Sequence, residues 1–385
     1  MNQQRAVKHR LTRLLKHPGC DIAIVAPPGD AARPGIEEMC LTLCPLPGES
    51  AAGMARRLAS ELSALGAQTV KHDVFGPVAS YGEFMGAWRS VASGADCPIT
   101  WVAGASCSGA SLAGIHVRAV KGAPVETVRT PEGRPAGRTY CDGHARYCLL
   151  GGIGPDTAGA ERGEQALETF KNIRTALGTV GMAMSNVVRT WFYIDHILDW
   201  YGRFNEVRTD FFRRTGVFEG VVPASTGIGG GNPDGTAVVA GCLAVEPVAG
   251  DMAVSQLSSP LQGSAQDYGS SFARAVETQV PGLRTVYVSG TASIAPDGRT
   301  VREDDVAGQT ELTMRVVSAI LESRGMSYAD ATRALVYFKR AEDAPAYDRY
   351  ARANGLGGMP VIVTHNDICR DDLLFEIEID ASASV

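Results

Sequence analysis

Glu164-Gln-Ala-Leu-Glu-Thr-Phe-Lys-Asn-Ile-Arg-Thr-Ala-Leu177 and Gly308-Gln-Thr-Glu-Leu-Thr-Met-Arg-Val-Val-Ser-Ala-Ile-Leu321 decide the fold of this 385-residue chain. Each stretch is predicted to be a helix, and each is followed by Gly-Met and then by an apolar run typical of a strand. Three landmarks keep one offset of 144 residues, namely Gln165 to Gln309, Gly181 to Gly325, and Tyr193 to Tyr337. A constant offset across a helix, a turn and a strand indicates a duplicated unit.

A third, more divergent copy precedes these two. Ala55–Leu65, Gly66 and Thr69–Phe75 repeat the order of helix, glycine and strand. In every copy a helix with aromatic residues follows, and strand-like sequence ends the copy. The predicted order in each unit is strand, strand, helix, strand, helix, strand, strand. We therefore expect an α+β protein in which helices cover one face of each mixed sheet.

Segments rich in proline, glycine and charge separate the copies. Residues 122–138 and 247–268 are predicted to be linkers. The predicted domains are therefore an N-terminal extension and three units, at 1–34, 35–125, 139–250 and 265–385. The first 16 residues are basic, but no apolar segment follows them, which favours a docked or frayed helix over a targeting signal.

The composition predicts a cytoplasmic protein without a nucleic-acid partner. The net charge of −6 disfavours nucleic acid, and the sequence has no apolar run long enough for a membrane span. Nine cysteines without a CxxC pair indicate a reducing compartment and no disulfide framework. The histidines have no spacing typical of a metal site, so we predict neither a metal nor a cofactor.

The last strand carries the candidate acid/base group. In the stretch Phe375-Glu-Ile-Glu-Ile-Asp380, apolar and acidic residues alternate, so the acidic ones share one face. That pattern fits an edge strand with a charged outer face. It also fits Glu376 as an acid or base in a cleft.

The order of these features resembles the Rid (YjgF-like) family. That resemblance implies trimers with sites in the clefts between subunits, and three units in one chain would then form a pseudo-trimer, either as a monomer or as a small homo-oligomer. The imine deaminases of the family carry an arginine shortly after a proline. This chain has Pro223-Ala-Ser-Thr226 and Pro360-Val-Ile-Val363 at those places, which weighs against imine hydrolysis.

A narrower resemblance is to the chorismatases, which are Rid-fold enzymes of secondary metabolism. It rests on five blocks in order: Arg189–Tyr193, Pro223–Gly229, Ser270–Ala275, Ser289–Ile294 and Asp367–Glu378. The resemblance implies chorismate as substrate, loss of pyruvate, no metal and Glu376 as the catalytic glutamate. The product would be a hydroxybenzoate or a dihydroxycyclohexadienoate. Two departures are an extra N-terminal unit and the sequence Trp191-Phe192-Tyr193 in place of Trp-Asn-Tyr.

The chemistry points to further residues. Cleaving an enol ether requires a proton on the vinyl carbon, which a buried carboxylic acid can deliver. A dicarboxylate substrate requires arginines. We predict Glu376 and Cys369 as catalytic residues, and as substrate-binding residues Arg274, Arg189, Tyr193 and Thr226.

Each of these assignments has a structural alternative. Arg333 is the repeat equivalent of Arg189, which suggests an ion pair in the fold, and Cys369 is equally suited to a buried structural role. Arg274 has a competing interpretation as a salt bridge to an acid near the C-terminus. Two other functions also remain open, namely an imine or enamine hydrolase and a non-catalytic ligand-binding Rid protein.

Overall fold

The computed structural model describes residues 12–26, 35–92 and 96–385, and its helices and strands form three units. The first unit contains β1 (Thr12–His17), β2 (Cys20–Val25), β3 (Glu37–Leu43), α1 (Ala51–Leu65), β4 (Gln68–Phe75), α2 (Tyr81–Val91), β5 (Ile99–Val102), β6 (Ala105–Ser106) and β7 (Gly114–Lys121). The second contains β8 (Glu126–Arg129), β9 (Pro135–Cys141), β10 (Ala145–Ile153), α3 (Arg162–Thr179), β11 (Val187–Ile194), α4 (Ile197–Arg214), β12 (Ala224–Gly229) and β13 (Val238–Pro247).

The third unit repeats this order. It contains β14 (Ala253–Leu257), β15 (Ala275–Val280), β16 (Leu283–Ala292), α5 (Val306–Glu322), β17 (Ala331–Phe338), α6 (Pro345–Ala353), β18 (Val361–His365) and β19 (Phe375–Ser384). The strand orders are β1-β2-β3-β7-β4-β5, β8-β9-β10-β13-β11-β12 and β14-β15-β16-β19-β17-β18, and β6 of the first unit extends the third sheet beside β18. Three sheets of one topology confirm the predicted α+β pseudo-trimer.

The observed strands begin earlier than the sequence predicted. Two strands, at Thr12–His17 and Cys20–Val25, form a hairpin on the edge of the first sheet. The expected N-terminal helix was therefore wrong for residues 12–16, whereas residues 1–11 lie outside the described part. Glu126–Arg129 and Ala253–Leu257, which were assigned to linkers, are edge strands of the second and third sheets. Each unit thus opens with three strands rather than two.

The landmark residues of the repeat have structural causes. Gln165 accepts a hydrogen bond from the N–H of Ala237 (2.8 Å), and Gln309 accepts one from the N–H of Leu374 (2.8 Å). In both cases the bonded residue immediately precedes the last strand of its unit. Gly325 has φ +70°, a left-handed conformation that glycine adopts without steric cost where the chain leaves the helix.

The three sheets meet at a shared core, and the helices lie outside. Phe75, Tyr193 and Tyr337, one from each unit, belong to one buried cluster with Trp191 and Leu335. Separate clusters fill the space between each sheet and its own helices. The inner faces of the sheets therefore form inter-unit clefts.

Candidate active site

A polar cavity lies in the cleft between the second and third units. Its walls come from α4, β12, β16, β19 and two loops. The lining residues are Tyr201, Arg208, Ser225, Gly227, Ser270, Phe272, Arg274, Gly290, Ala292, Ile294, Cys369, Arg370 and Glu376. The cavity measures about 50 Å³, which accommodates only a few water molecules.

Glu376 lies at the start of β19, where it is paired with Tyr337 and Ala292 on the neighbouring strands. Its side chain is 4% exposed and lines the cavity, whereas Phe375 and Ile377 pack in the core beneath the helices. The space beside its carboxyl exists because residue 290 is glycine: a Cβ there would overlap Glu376 Oε1. Burial, reinforced by the charge of Glu378, raises the pKa of Glu376 to about 8. At neutral pH the side chain is therefore a buried carboxylic acid with a proton to donate.

Glu378, two residues further along the same face, remains ionised. Although burial opposes ionisation, Arg333 and Arg189 hold the pKa of Glu378 below its usual value. Arg189 Nη2 lies 2.7 Å from Glu378 Oε2, and the Trp191 indole donates to Oε1 at 3.1 Å. The Thr226 hydroxyl also donates to Glu378. Arg333 is the fourth hydrogen-bond partner and donates to Oε1. All four partners are buried, so this ion pair belongs to the fold of the cleft.

Arg208 brings a buried cation to the cavity. It lies on α4 and is 1% exposed. Its Nη2 donates to Asn205 Oδ1 at 2.7 Å, and Nη1 lies 3.5 Å from Ser225 Oγ. Among residues 12–26, 35–92 and 96–385, no carboxylate pairs with it and its Nε has no hydrogen-bond partner. Burial lowers the pKa of the guanidinium because a buried cation is costly without a counter-charge. A bound anion would supply that counter-charge.

Two further arginines line the same cavity. Arg274 is 4% exposed, its Nε donates to the carbonyl of Gly263 (3.0 Å), and its guanidinium lies 5.7 Å from the Phe272 ring. Arg370 donates to the carbonyl of Gly298 (2.7 Å). With Arg208, the cavity wall carries three guanidinium groups.

Cys369 lines the cavity as a neutral thiol. Burial raises its pKa to about 12, and the nearby Glu376 adds to that effect. A thiol is a poor nucleophile compared with a thiolate. The structure thus places Cys369 in the cavity wall in its thiol form, and its predicted catalytic role stays a prediction. All nine cysteines of the chain are free.

The structure brings together three of the six residues predicted from sequence. Glu376, Cys369 and Arg274 line the cavity. Arg189 and Thr226 are instead directed to Glu378, so both serve the ion pair. Tyr193 is fully buried in the central core beside Phe75, at a ring distance of 5.9 Å.

Sequence reasoning missed Arg208, although a signal existed. The buried face of α4 consists of Ile197, Trp200, Phe204, Arg208, Phe211 and Phe212. An arginine on an otherwise apolar helical stripe requires a special environment. Its guanidinium lies 5.6 Å from the ring of Phe204 on the same helix and 5.9 Å from the ring of Phe272 in the loop before β15. Cation–π contacts with these two rings therefore stabilise it.

The other two clefts lack the carboxyl. Tyr193 is paired with Val239, and Phe75 with Gly114, at the positions that correspond to the Tyr337–Glu376 pair. A Cβ at residue 114 would lie 2.7 Å from Ile362 Cγ1, so that cleft is filled by an apolar side chain. The first and second units therefore have no carboxyl at the position equivalent to Glu376. The described residues also contain no group of His, Cys, Asp or Glu side chains suited to a metal ion, and no helix there is long and apolar enough to span a membrane.

Three sheets of one topology, with a polar cavity between the second and third units, define a protein of the Rid type. In agreement, the family model described as Endoribonuclease L-PSP matches residues 270–383, which is most of the third unit. A chorismatase from Streptomyces rapamycinicus is 29% identical over 232 residues, covering 54% of this chain and 67% of that protein. A 3-hydroxybenzoate synthase from Streptomyces hygroscopicus is 28% identical over 284 residues, covering 66% of this chain and 79% of that protein.

A solved structure extends this similarity to the whole fold. The crystal structure of a chorismatase at 1.08 Å resolution superposes with a TM-score of 0.65 and 19% identity, covering 89% of this chain and 98% of that one. The chain is thus similar to chorismatases in sequence and in fold. Because 89% of the chain is matched, the first unit also has a counterpart in that structure. The expectation that this unit is an addition to the family's architecture was therefore wrong.

Proposed function

We propose that this protein is a chorismatase-type enzyme that cleaves the enolpyruvyl ether of chorismate or a close relative. The products would be pyruvate and either a hydroxybenzoate or a dihydroxycyclohexadienoate. One observation carries the proposal: Glu376, protonated at neutral pH, lies in a cavity lined by three arginines. A dicarboxylate whose reaction begins with protonation matches both properties of the cavity.

The proposed reaction starts with proton transfer. The Glu376 carboxyl donates its proton to the terminal vinyl carbon of the ether, which leaves positive charge on the adjacent ether carbon. Glu376 becomes a carboxylate, whose negative charge stabilises that cation at short range. In the hydrolytic route, water adds to the cationic carbon and returns one proton to Glu376; the bond from this carbon to the ring oxygen then breaks, and the ring oxygen takes the proton of the added hydroxyl. In the aromatising route, the ring hydroxyl instead attacks the ring carbon that bears the ether, pyruvate leaves with the ether oxygen, and the hydroxyl proton returns to Glu376.

The two product classes differ in the use of water. Hydrolysis consumes one water molecule and yields pyruvate and the diol. In the aromatising route the ring hydroxyl and a ring hydrogen are redistributed, so chorismate is converted to pyruvate and a hydroxybenzoate with no net uptake of water. Both routes use the proton donor and the arginines of this chain, and we propose that neither route requires a metal ion.

The arginines supply binding and orientation. Guanidinium groups match carboxylates in geometry and keep their charge when buried. Arg208 and Arg274 are the most buried of the three, so they are proposed to hold the two substrate carboxylates. The cavity is too small for a molecule of this size, and binding therefore requires the cavity to widen.

Two alternatives are less well supported. An imine hydrolase of the Rid type would carry an arginine shortly after Pro223, where this chain places Ser225 in the cavity wall. A non-catalytic binding protein would have no need of a protonated carboxyl beside the arginines.

The test is incubation of the purified protein with chorismate. Pyruvate is measured with a coupled lactate dehydrogenase assay, and the aromatic or diol product is identified by chromatography and mass spectrometry. Pyruvate formation by the wild type, and its loss in the Glu376→Gln variant, would establish the activity. Absence of pyruvate with a folded wild-type protein would refute it.

A further inference from the structure

We propose that Asn366 is a positioning residue through which the first unit fixes the catalytic loop, here defined as residues 366–374. This loop carries Cys369 and Arg370 to the cavity and leads into Glu376. The inference rests on the proposed function for its activity measurement only. It assigns a role to the first unit, which contributes none of the cavity-lining residues in the described part of the chain.

The contacts of Asn366 join all three units. Its Nδ2 donates to the carbonyl of Ala103 in the first unit (2.9 Å) and to that of Gly229 in the second (2.7 Å). Its Oδ1 accepts from the Thr364 hydroxyl (2.9 Å) in the third unit. The side chain is 4% exposed. The side-chain NH2 group of Asn366 therefore hydrogen-bonds to both neighbouring units, and the bond to its Oδ1 fixes the orientation of the amide.

Backbone contacts complete the junction. The N–H of Gly229 donates to the carbonyl of Asp367 (2.8 Å), and the N–H of Ala103 donates to the carbonyl of Gly231 (2.7 Å). β6, the short strand of the first unit, pairs with β18 through Ser106 and Thr364 immediately before the loop. The first unit thus contacts both the loop and the strand that leads into it.

Glycines make this approach possible. A Cβ at Gly104 would lie 2.7 Å from Asn366 Oδ1, and one at Gly230 would lie 2.7 Å from Val102 Cγ1. At Gly229 a Cβ would lie 2.6 Å from the Cβ of Asp367. At these three glycine positions around Asn366 there is therefore no space for a side chain, so the backbones of the three units are closely packed there.

The catalytic loop is held at both ends. Asn366 and Asp367 are fixed by the other two units, and the N–H of Leu374 is fixed by Gln309 (2.8 Å). Between these ends the loop projects Cys369 and Arg370 into the cavity. Releasing the first end leaves the cavity wall anchored only from within its own unit, so the two side chains lose their fixed positions relative to Glu376.

The decisive variant is Asn366→Asp, which keeps the size but removes both donors and turns a carboxylate oxygen toward two carbonyl groups. Gly104→Ala perturbs the same junction from the first unit without changing any loop residue. Tyr140→Phe is the matched control: it removes a hydrogen bond between the second and first units, from Tyr140 to Glu38 (2.8 Å), at the opposite end of the first sheet. Thermal unfolding of all three variants is the check that each remains folded.

Two measurements test the junction. Hydrogen exchange followed by mass spectrometry reports the protection of amides 366–374 without any substrate. Steady-state kinetics on chorismate report kcat and KM. We expect faster exchange in this loop and a fall in kcat/KM of about 10- to 100-fold in Asn366→Asp and Gly104→Ala, because small displacements of positioned groups are costly. In Tyr140→Phe both values should match the wild type.

The outcomes are separable. If the wild type does not act on chorismate, the proposed function fails, and the exchange data still decide the role of Asn366. Unchanged protection of the loop in Asn366→Asp, or kcat/KM within twofold of the wild type, would overturn the inference. Equal loss of activity in Tyr140→Phe would also overturn it, because the effect would then reflect general loosening between units.

Discussion

Replacing Glu376 by glutamine removes one buried ionisable proton, and its effects on turnover and on the free energy of unfolding can be measured separately. Glutamine keeps the size of the side chain and cannot donate a proton to carbon. We expect turnover of chorismate to fall by ~10²–10⁴-fold, the usual contribution of a general acid. The same substitution should alter the pH dependence of stability, because the folded protein holds this proton more tightly than the unfolded chain does.

The size of the stability effect follows from the environment of the carboxyl. A rise in pKa from 4.5 to about 8 corresponds to roughly 5 kcal/mol of free energy as an upper value. In this window the unfolded state binds fewer protons than the native state, so the free energy of unfolding falls as the pH rises from about 4.5 to about 8. The glutamine variant has no such proton. It should match the wild type near pH 4.5 and become progressively more stable than the wild type up to pH 8.

The assay is urea denaturation of both proteins at several pH values from 4.5 to 9, together with pyruvate release. Glu38→Gln is a suitable control. Glu38 is a partly buried carboxyl whose pKa is also raised by burial, and it lies away from the cavity beside Tyr140. It should show a stability change of the same sign with full activity. Parallel stability curves for the wild type and Glu376→Gln across this range would refute the assignment of a retained proton.

Further predictions concern the groups around this proton. In Glu378→Gln the pKa of Glu376 should fall, so the alkaline limb of the pH–rate profile, expected near pH 8 in the wild type, should move to lower pH. Arg208→Gln should raise KM by about 10- to 100-fold, as expected for one lost charge-assisted contact, without lowering the melting temperature, because no carboxylate among the described residues pairs with Arg208. Arg189→Gln should instead destabilise the fold by about 3–5 kcal/mol, because the buried Glu378 loses a partner, and equal effects of the two arginine variants on stability would contradict their different roles. Light scattering should give a mass near 40.6 kDa for a monomeric pseudo-trimer, against three times that value for a trimer of chains.

The repeated architecture was predictable because its landmarks have local physical causes. Gln165 and Gln309 stand at one offset because each hydrogen-bonds the N–H that precedes the last strand of its unit. The leading hairpins were not predictable in this way. Glu126–Arg129 is short, half charged and flanked by prolines and glycines, and it becomes a strand only by pairing at the edge of a sheet. Edge strands of this kind carry linker-like sequences because one side faces solvent.

The candidate site was only partly predictable, for a different reason. Glu376 could be singled out because acidic and apolar residues alternate along Phe375–Asp380, a pattern that fits a carboxyl in a cleft as well as an edge strand with a charged outer face. Arg189 looked equally unusual, but its partner Glu378 lies 189 residues away, so the ion pair cannot be recognised from spacing. Arg208 was missed because the search for cations followed strands and motif blocks rather than the buried face of a helix.

The acidic face of β19 explains how one strand serves both chemistry and assembly. Glu378 pairs with Arg189 of the second unit and Arg333 of the third, and Asp380 pairs with Arg333 and with Arg118 of the first. The two ionised residues thus connect cations from all three units. Glu376 lies on the same face, one pleat before them, where the cavity begins. Burial raises the pKa of Glu376, and the negative charge of Glu378 raises it further, so a residue that holds the units together also helps to keep Glu376 in its acid form.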